Sequence, residues 1–353
     1  MDIFVVETPL QMLNAIEARF YFNSDRNLLI LFTSPHFPRK VFEPLINGDE
    51  WDSIVSIHIR ETEPEFVIRP SPSLWHRKFA EYYRYLKQFH YRRKLNAIGK
   101  SLGKADRLFL GNYLQDYMRH FGNQIDHREL VLLDDGTDAV RVNEFRKSGN
   151  LLIGSGGLVN LREKAHQVLH DWDSSHAGNL TFFSSYDLNL RNGDRLTKNE
   201  YPHLRKMAAG KPPTDKTLFL GQCLVDDQWM SKEAYFRYLG KIRRFYSNEK
   251  LAYVQHPRES KAILDEVREK LNFEIVSFDV PIEYQLAKGG MPKEVASFFC
   301  SAIENCRIIF GNKLQITAFL IRPEDLLCCH NFAAQLYMYW QNRANDRFRV
   351  VKA

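Results

Sequence analysis

Residues 131–140 read VLLDDGTDAV. Three apolar residues run straight into two adjacent aspartates, a glycine and a threonine. An unbroken apolar run suits a strand covered on both faces, as in a parallel sheet with helices on either side. The sudden polarity marks its C-terminal end. Adjacent carboxylates repel, and burying either is costly unless it is paired or protonated. Two readings are open at this point. Asp134 caps the following turn, with Gly136 supplying a positive φ, or the pair stands at the strand end for chemistry.

The rest of the chain repeats this pattern. IFVVE opens it as a strand, Thr8-Pro9 turns, and Leu10, Leu13 and Ile16 carry a helical period. NLLILFTS, SIVSIHI, RLFLGNYL, ELVLLDDG and LLIGSG read as further strands. Residues 190–215 are polar, contain two adjacent prolines and lack an apolar period, which predicts a linker. The alternation then restarts. TLFLGQ, LAYVQHP and FEIVSF read as strands, SKEAYFRYLGKIRRFY and KAILDEVREKL as helices. A helix over Pro292–Asn305, with RIIFGN and LLCCHN as strands, completes a second unit. The expected class is α/β, with two Rossmann-like domains facing each other across a cleft lined by strand C-termini. The expected boundaries are 1–205 and 206–353, and the reading leaves room for the last helix to pack back on the first domain.

Composition narrows the function. The chain has 353 residues, 44% hydrophobic and 26% charged, a length that favours two cores. The opening residues lack the basic region and cleavage site of a signal peptide, and no apolar run is long enough to span a bilayer. Five cysteines form no C-x-x-C pair, so neither zinc nor a disulfide framework follows, and a cytoplasmic location fits. The formal charge is +6, with basic and aromatic residues concentrated in 76–104. That segment reads as an amphipathic helix with a solvated basic face, or as a surface for the inner face of an anionic membrane. Nucleic acid is the less favoured partner. The dinucleotide, P-loop and G-x-S-x-G motifs are all missing.

Four short stretches sit after strands or at helix starts: LLDDGTDAV, YVQHPRES, DVPIEYQL and MPKEVASFFCSAIENC. Each has a bland reading, because a histidine before proline commonly just ends a strand and a glutamate is commonly on the surface. In this combination and order they resemble the bacterial sialyltransferases of the GT-B fold, most closely the lipooligosaccharide sialyltransferase family, glycosyltransferase family 52. The D/E-D/E-G motif of that family matches Asp134-Asp135-Gly136, its H-P motif His256-Pro257, and its Ser/Thr pair Cys300-Ser301. TPLQMLNAIEA (Thr8 to Ala18) is similar to the family's opening, and GQCLVDD (Gly221 to Asp227) to its first C-terminal strand and loop.

The resemblance implies transfer of sialic acid from CMP-sialic acid to a sugar hydroxyl of a lipooligosaccharide or capsule-type glycan, inverting and without a metal or other cofactor. CMP carries a single phosphate, so no diphosphate leaving group needs Mg²⁺. The first domain would take the acceptor and the second the donor. Asp135 would be the base, its pKa raised by the neighbouring charge, with Asp134 orienting it or capping the turn. Asp227 is a second candidate base, since part of the family places one in that loop. His256 would give a proton or a hydrogen bond to the leaving phosphate. Ser301 and helix N–H groups would supplement it, because Cys300 is a poor donor. Glu283 would hold the ribose. Gly221, Gln222 and Pro257 fall on the donor side, Gln11, Asn112 and Gly136 on the acceptor side. CMP-Kdo or a hexose nucleotide is the competing donor class, and a non-enzymatic membrane or polyanion binder the competing function. Oligomeric state stays open.

Overall fold

A computed structural model describes residues 1–59, 93–148 and 172–352. Most of the basic aromatic segment (76–92) and the LLIGSG stretch (151–156) lie outside the described residues. The chain divides into two units, Met1–Asn199 and Glu200–Ala353.

The first unit carries a parallel sheet. Its strands are β1 (Asp2–Val6), β2 (Asn27–Thr33), β3 (Ser53–His58), β4 (Lys104–Leu110), β5 (Asp126–Leu133), β6 (Thr181–Ser184) and β7 (Arg195–Lys198). They lie in the order β3-β2-β1-β4-β5-β6-β7. Every residue of β1 and β2 is buried, as continuous apolar runs between two helical layers require. Helix α1 (Pro9–Phe22) returns from β1. Thr8 caps it by accepting from Gln11 N at 3.2 Å, and Pro9 sits in its first turn. Helices α2 (Asp116–Asn123) and α3 (Asp138–Ser148) follow β4 and β5.

The second unit repeats the scheme. Helix α4 (Pro202–Ala208) precedes β8 (Thr217–Leu220), α5 (Lys232–Phe245), β9 (Leu251–Val254), α6 (Lys261–Leu271) and β10 (Glu274–Val276). Then come α7 (Ile282–Gly289), β11 (Glu294–Ser297), α8 (Ser301–Phe310), β12 (Gln315–Leu320), α9 (His330–Gln341) and β13 (Phe348–Lys352). All its strand pairs are parallel, in the order β10-β9-β8-β11-β12-β13. In both sheets the first strand lies between the second and the fourth. That reversal of winding is where open α/β sheets bind ligands, beyond the strand C-termini.

The structure corrects several expectations. The expected linker holds β7 and α4, and the division falls at 199/200 instead of 205/206. As an edge strand β7 needs no apolar run, which is why its polar sequence concealed it. The expected helix over Pro292–Asn305 is a buried strand, β11, a short loop, and then α8. RIIF ends that helix and is not a strand. In LLCCHN, Cys329 takes φ +60° as the cap and His330-Asn331 open α9, so the stretch is not a strand. Short buried runs carry no period that separates helix from strand. Among the described residues no helix is long and apolar enough to cross a membrane.

Candidate active site

In the first unit three strand ends lie side by side. β1 runs into Glu7, β4 into Gly111-Asn112, and β5 into Asp134-Asp135. Successive residues of an extended chain point to opposite sides, and the two aspartates do so. Asp134 is 2% exposed, and its Oδ2 accepts from Ser185 N at 2.6 Å. Its carbonyl accepts from Asn14 Nδ2 at 2.9 Å. Asp135 turns toward β1 and β4, where its Oδ2 accepts from Gln11 Nε2 at 2.8 Å and Asn112 Nδ2 at 3.4 Å. Gly136 has φ +61°, as the turn reading required.

Burial is the main cause that pushes the Asp135 carboxyl up to about 7, with repulsion from Asp138 next. Gln11 opposes this, while Glu7 and Asp134 add smaller repulsions. The sequence argument had named Asp134 as the source of the shift, but the adjacent carboxylate is the weakest of these neighbours because it points away. Burial also pushes Asp134 up to about 6, against the hydrogen bonds of Ser184 and Ser185.

Glu7 and Asp138 were missed. Glu7 accepts from Asn112 Nδ2 at 3.2 Å and from the Tyr117 hydroxyl, and burial raises its pKa. The available signal was an acidic residue ending the first apolar strand. Gly111 is needed here, since a Cβ at that position would lie 2.1 Å from Gln11 Oε1.

In the second unit the ends of β9, β8 and β11 are adjacent. His256 follows β9. Its Nδ1 accepts from Arg258 N at 3.2 Å and lies 2.9 Å from Cys223 Sγ, so Nε2 carries the hydrogen. Burial first, then the Arg258 charge, push the imidazole down to about 4. Of the two roles expected for His256, donating a proton or a hydrogen bond, this favours the second. Glu259 accepts from His256 N at 2.6 Å and from the Tyr253 hydroxyl, and burial pushes it up to about 7. A Cβ on Gly221 would meet Tyr253 Oη at 2.4 Å and Glu259 Oε2 at 2.6 Å, so this glycine makes room for the support beneath His256. Pro257 lies in the turn closed by Glu259 N to His256 O at 3.0 Å.

Gln222 Oε1 accepts from Phe299 N at 3.2 Å and pins the loop entering α8. Cys300 is the N-cap, and Ser301 is the first helical residue. The end of a helix that presents free N–H groups and the positive end of its dipole is thus where Ser301 stands. Burial pushes the Cys300 thiol up to about 12, so it stays neutral. Glu283, 3% exposed, accepts from Asn305 Nδ2 at 2.8 Å, joining α7 to α8, and burial raises its pKa.

Asp227 is placed differently from Asp135. Its two oxygens take Arg258 Nη1 at 3.1 Å and Nη2 at 2.9 Å, and Asp226 accepts from Ser260 N at 2.9 Å before α6. A cavity of about 400 Å³ lies elsewhere in this unit, lined by Leu320, Arg322, His330, Tyr337 and Lys352 among others, and by none of the candidate site residues.

A family model described as alpha-2,8-polysialyltransferase matches residues 2–318. Among solved structures, Arabidopsis thaliana UGT89C1 complexed with UDP aligns over 99% of this chain and 85% of its own, with TM-score 0.51 and 11% identity. The alpha/beta-galactoside alpha-2,3-sialyltransferase of Photobacterium phosphoreum covers 99% of this chain and 97% of its own, at TM-score 0.49 and 13% identity. No curated protein sequence matches the chain. The structural likeness gives the fold, two parallel-sheet α/β units of the GT-B class. The family match, covering nearly the whole chain, bears out the expected sialyltransferase relationship. The chain belongs to the alpha-2,8-polysialyltransferase family and is a sialyltransferase, a glycosyltransferase that moves a sugar from a nucleotide-sugar donor to a glycan acceptor and releases the nucleotide.

Proposed function

We propose that this enzyme moves sialic acid from CMP-sialic acid to a hydroxyl of a glycan acceptor, with inversion at the anomeric carbon and Asp135 as general base. The observation that supports it best is the state of Asp135. A carboxyl titrating near 7 is basic enough to take a proton and still largely ionised at slightly alkaline pH. Its Oδ2 is held by Gln11 and Asn112, which leaves Oδ1 for the acceptor.

In the reaction the acceptor hydroxyl gives its proton to Asp135 as its oxygen bonds to the anomeric carbon. The bond from that carbon to the CMP phosphate oxygen breaks, and the electron pair leaves with the phosphate. His256 Nε2–H, the Ser301 hydroxyl and the first N–H groups of α8 are the donors we assign to that phosphate. Glu283 takes the ribose hydroxyls, and Asp134 holds the strand end. A single phosphate of this kind needs no metal ion. The family's description supports the 8-hydroxyl of a terminal sialic acid as the acceptor group, and we take the glycan to be of capsule or lipooligosaccharide type.

Asp227 is the weaker candidate base, because Arg258 engages both of its oxygens. The test compares CMP-sialic acid, CMP-Kdo and UDP-glucose as donors for hydrolysis and transfer. Turnover with CMP-sialic acid alone supports the reading, and preference for either of the others overturns it.

A further inference from the structure

Glu7 occupies the centre of the first unit's strand-end network. Its N–H donates to Gln11 Oε1 at 2.8 Å, which turns the Gln11 amide so that Nε2 faces Asp135 Oδ2 at 2.8 Å. Its Oε1 accepts from Asn112 Nδ2 at 3.2 Å, and the same nitrogen reaches Asp135 Oδ2 at 3.4 Å. Asn112 Oδ1 accepts from Leu114 N at 2.9 Å, so the amide cannot turn over without losing that bond. An NH₂ group has one hydrogen for each carboxylate. The Tyr117 hydroxyl holds the remaining Glu7 oxygen.

We propose that Glu7 is a positioning residue for Asp135: the two carboxylates, at the ends of β1 and β5, share the Asn112 amide, and Glu7 orients Asp135 and contributes to the charge it feels. The kinetic part of this rests on Asp135 being the base. Asp135 is also faced by Asp138 from the first turn of α3, the larger repulsion, while Asp134, which points away, adds the smallest. Asp138 is paired with Arg141 Nη1 at 2.9 Å, which blunts its repulsion. Among the described residues Glu7 is held by neutral donors, Tyr117, Asn112 and Gln11, and its charge adds to the repulsion on Asp135. Burial first, and then these neighbours, push the Asp135 carboxyl up to about 7.

The experiment is a carboxyl titration by NMR on the whole chain labelled with ¹³C-aspartate. The Asp135 signal is identified by its loss in Asp135→Asn. In Glu7→Gln, which retains the shape and removes the charge, the Asp135 midpoint should fall by roughly half a unit or more. Glu7→Asp keeps the charge and should stay nearer the wild type. An unmoved midpoint in folded Glu7→Gln overturns the proposal. Should that variant fold poorly, Tyr117→Phe tests the same coupling. It withdraws the donor that favours ionised Glu7, so Asp135 should again titrate lower, and an unchanged or raised midpoint counts against the idea.

Kinetics give an independent readout. With an α2,8-linked sialic acid trimer as acceptor, the acidic limb of the kcat/KM profile should move to lower pH in Glu7→Gln, whereas a purely structural role would lower the rate without moving it. Wild-type rates in Asp135→Asn would refute the base assignment while leaving the titration result to stand or fall separately.

Discussion

The two units share one frame and differ in the groups that their strand ends carry. Each is a parallel sheet whose first strand lies between the second and the fourth, and each gathers its candidate residues at strand C-termini beside that reversal. In the first unit the edge collects Glu7, Asp134, Asp135 and Asp138, and burial favours their protonated forms. In the second, burial favours neutral His256, with an N–H at Nε2 and a helix N-terminus at Ser301. The same desolvation raises the carboxyls at one edge and lowers the imidazole at the other; in the proposed reaction the first edge takes a proton, and the N–H donors of the second receive the phosphate. Backbone geometry sets where chemistry happens, and side-chain charge sets which half of it.

The largest expected effect tests the first edge. Asp135→Asn keeps the shape and can still accept from Gln11, but it cannot take a proton. Transfer should drop roughly 10²–10⁴-fold, the range for a positioned base, while CMP affinity in isothermal titration is retained. Asp227→Asn should change transfer only a few-fold. If the two results are exchanged, the base belongs to the second unit and the contrast fails.

Next in size is His256→Ala. Loss of one preorganised donor to developing phosphate charge should cost roughly 10²-fold in kcat. Because the imidazole acts here in its neutral form, the wild-type rate should show no fall as pH rises through 6.5. A clear loss of activity across that pH would mean that imidazolium is the working species.

Ser301→Ala should have a smaller effect, about tenfold in CMP affinity, the scale of one hydrogen bond to a charged group. The α8 N–H groups remain in that variant. Cys300→Ser should tighten binding if the residue faces phosphate, and equal affinity would leave Cys300 as a cap alone.

A further effect concerns stability instead of rate. The folded pKa of Asp135, about 7, lies above the unfolded value near 4. Its favourable contribution is therefore complete below the unfolded pKa and is lost as pH rises through the folded one. Relative to wild type, Asp135→Asn should gain stability between pH 5 and pH 8, by roughly 2–3 kcal/mol. Thermal melts at the two pH values measure it. A constant difference between variant and wild type would show a carboxylate without the proposed desolvation.

By itself the sequence determined the α/β class, the two units and the strand ends on which chemistry-bearing residues fall. Hydropathy along the chain is a local property, and VLLDDG, YVQHP and TLFLGQ display it directly. The order of the motifs was also enough to point to a sialyltransferase. It did not separate β11 from α8, because a four-residue buried strand and a buried helical turn look alike in composition. Only the tertiary structure put Ser301 at the start of a helix and Asp227 on Arg258. It alone distinguished Asp134 from Asp135, neighbours of identical chemistry, by turning one toward Ser185 and the other toward Gln11. It also brought Glu7 to Asn112, 105 residues away in the chain, and Asn112 to Asp135, a further 23. A pKa depends on lost water and on nearby charge, and folding decides both by joining residues that the sequence keeps far apart.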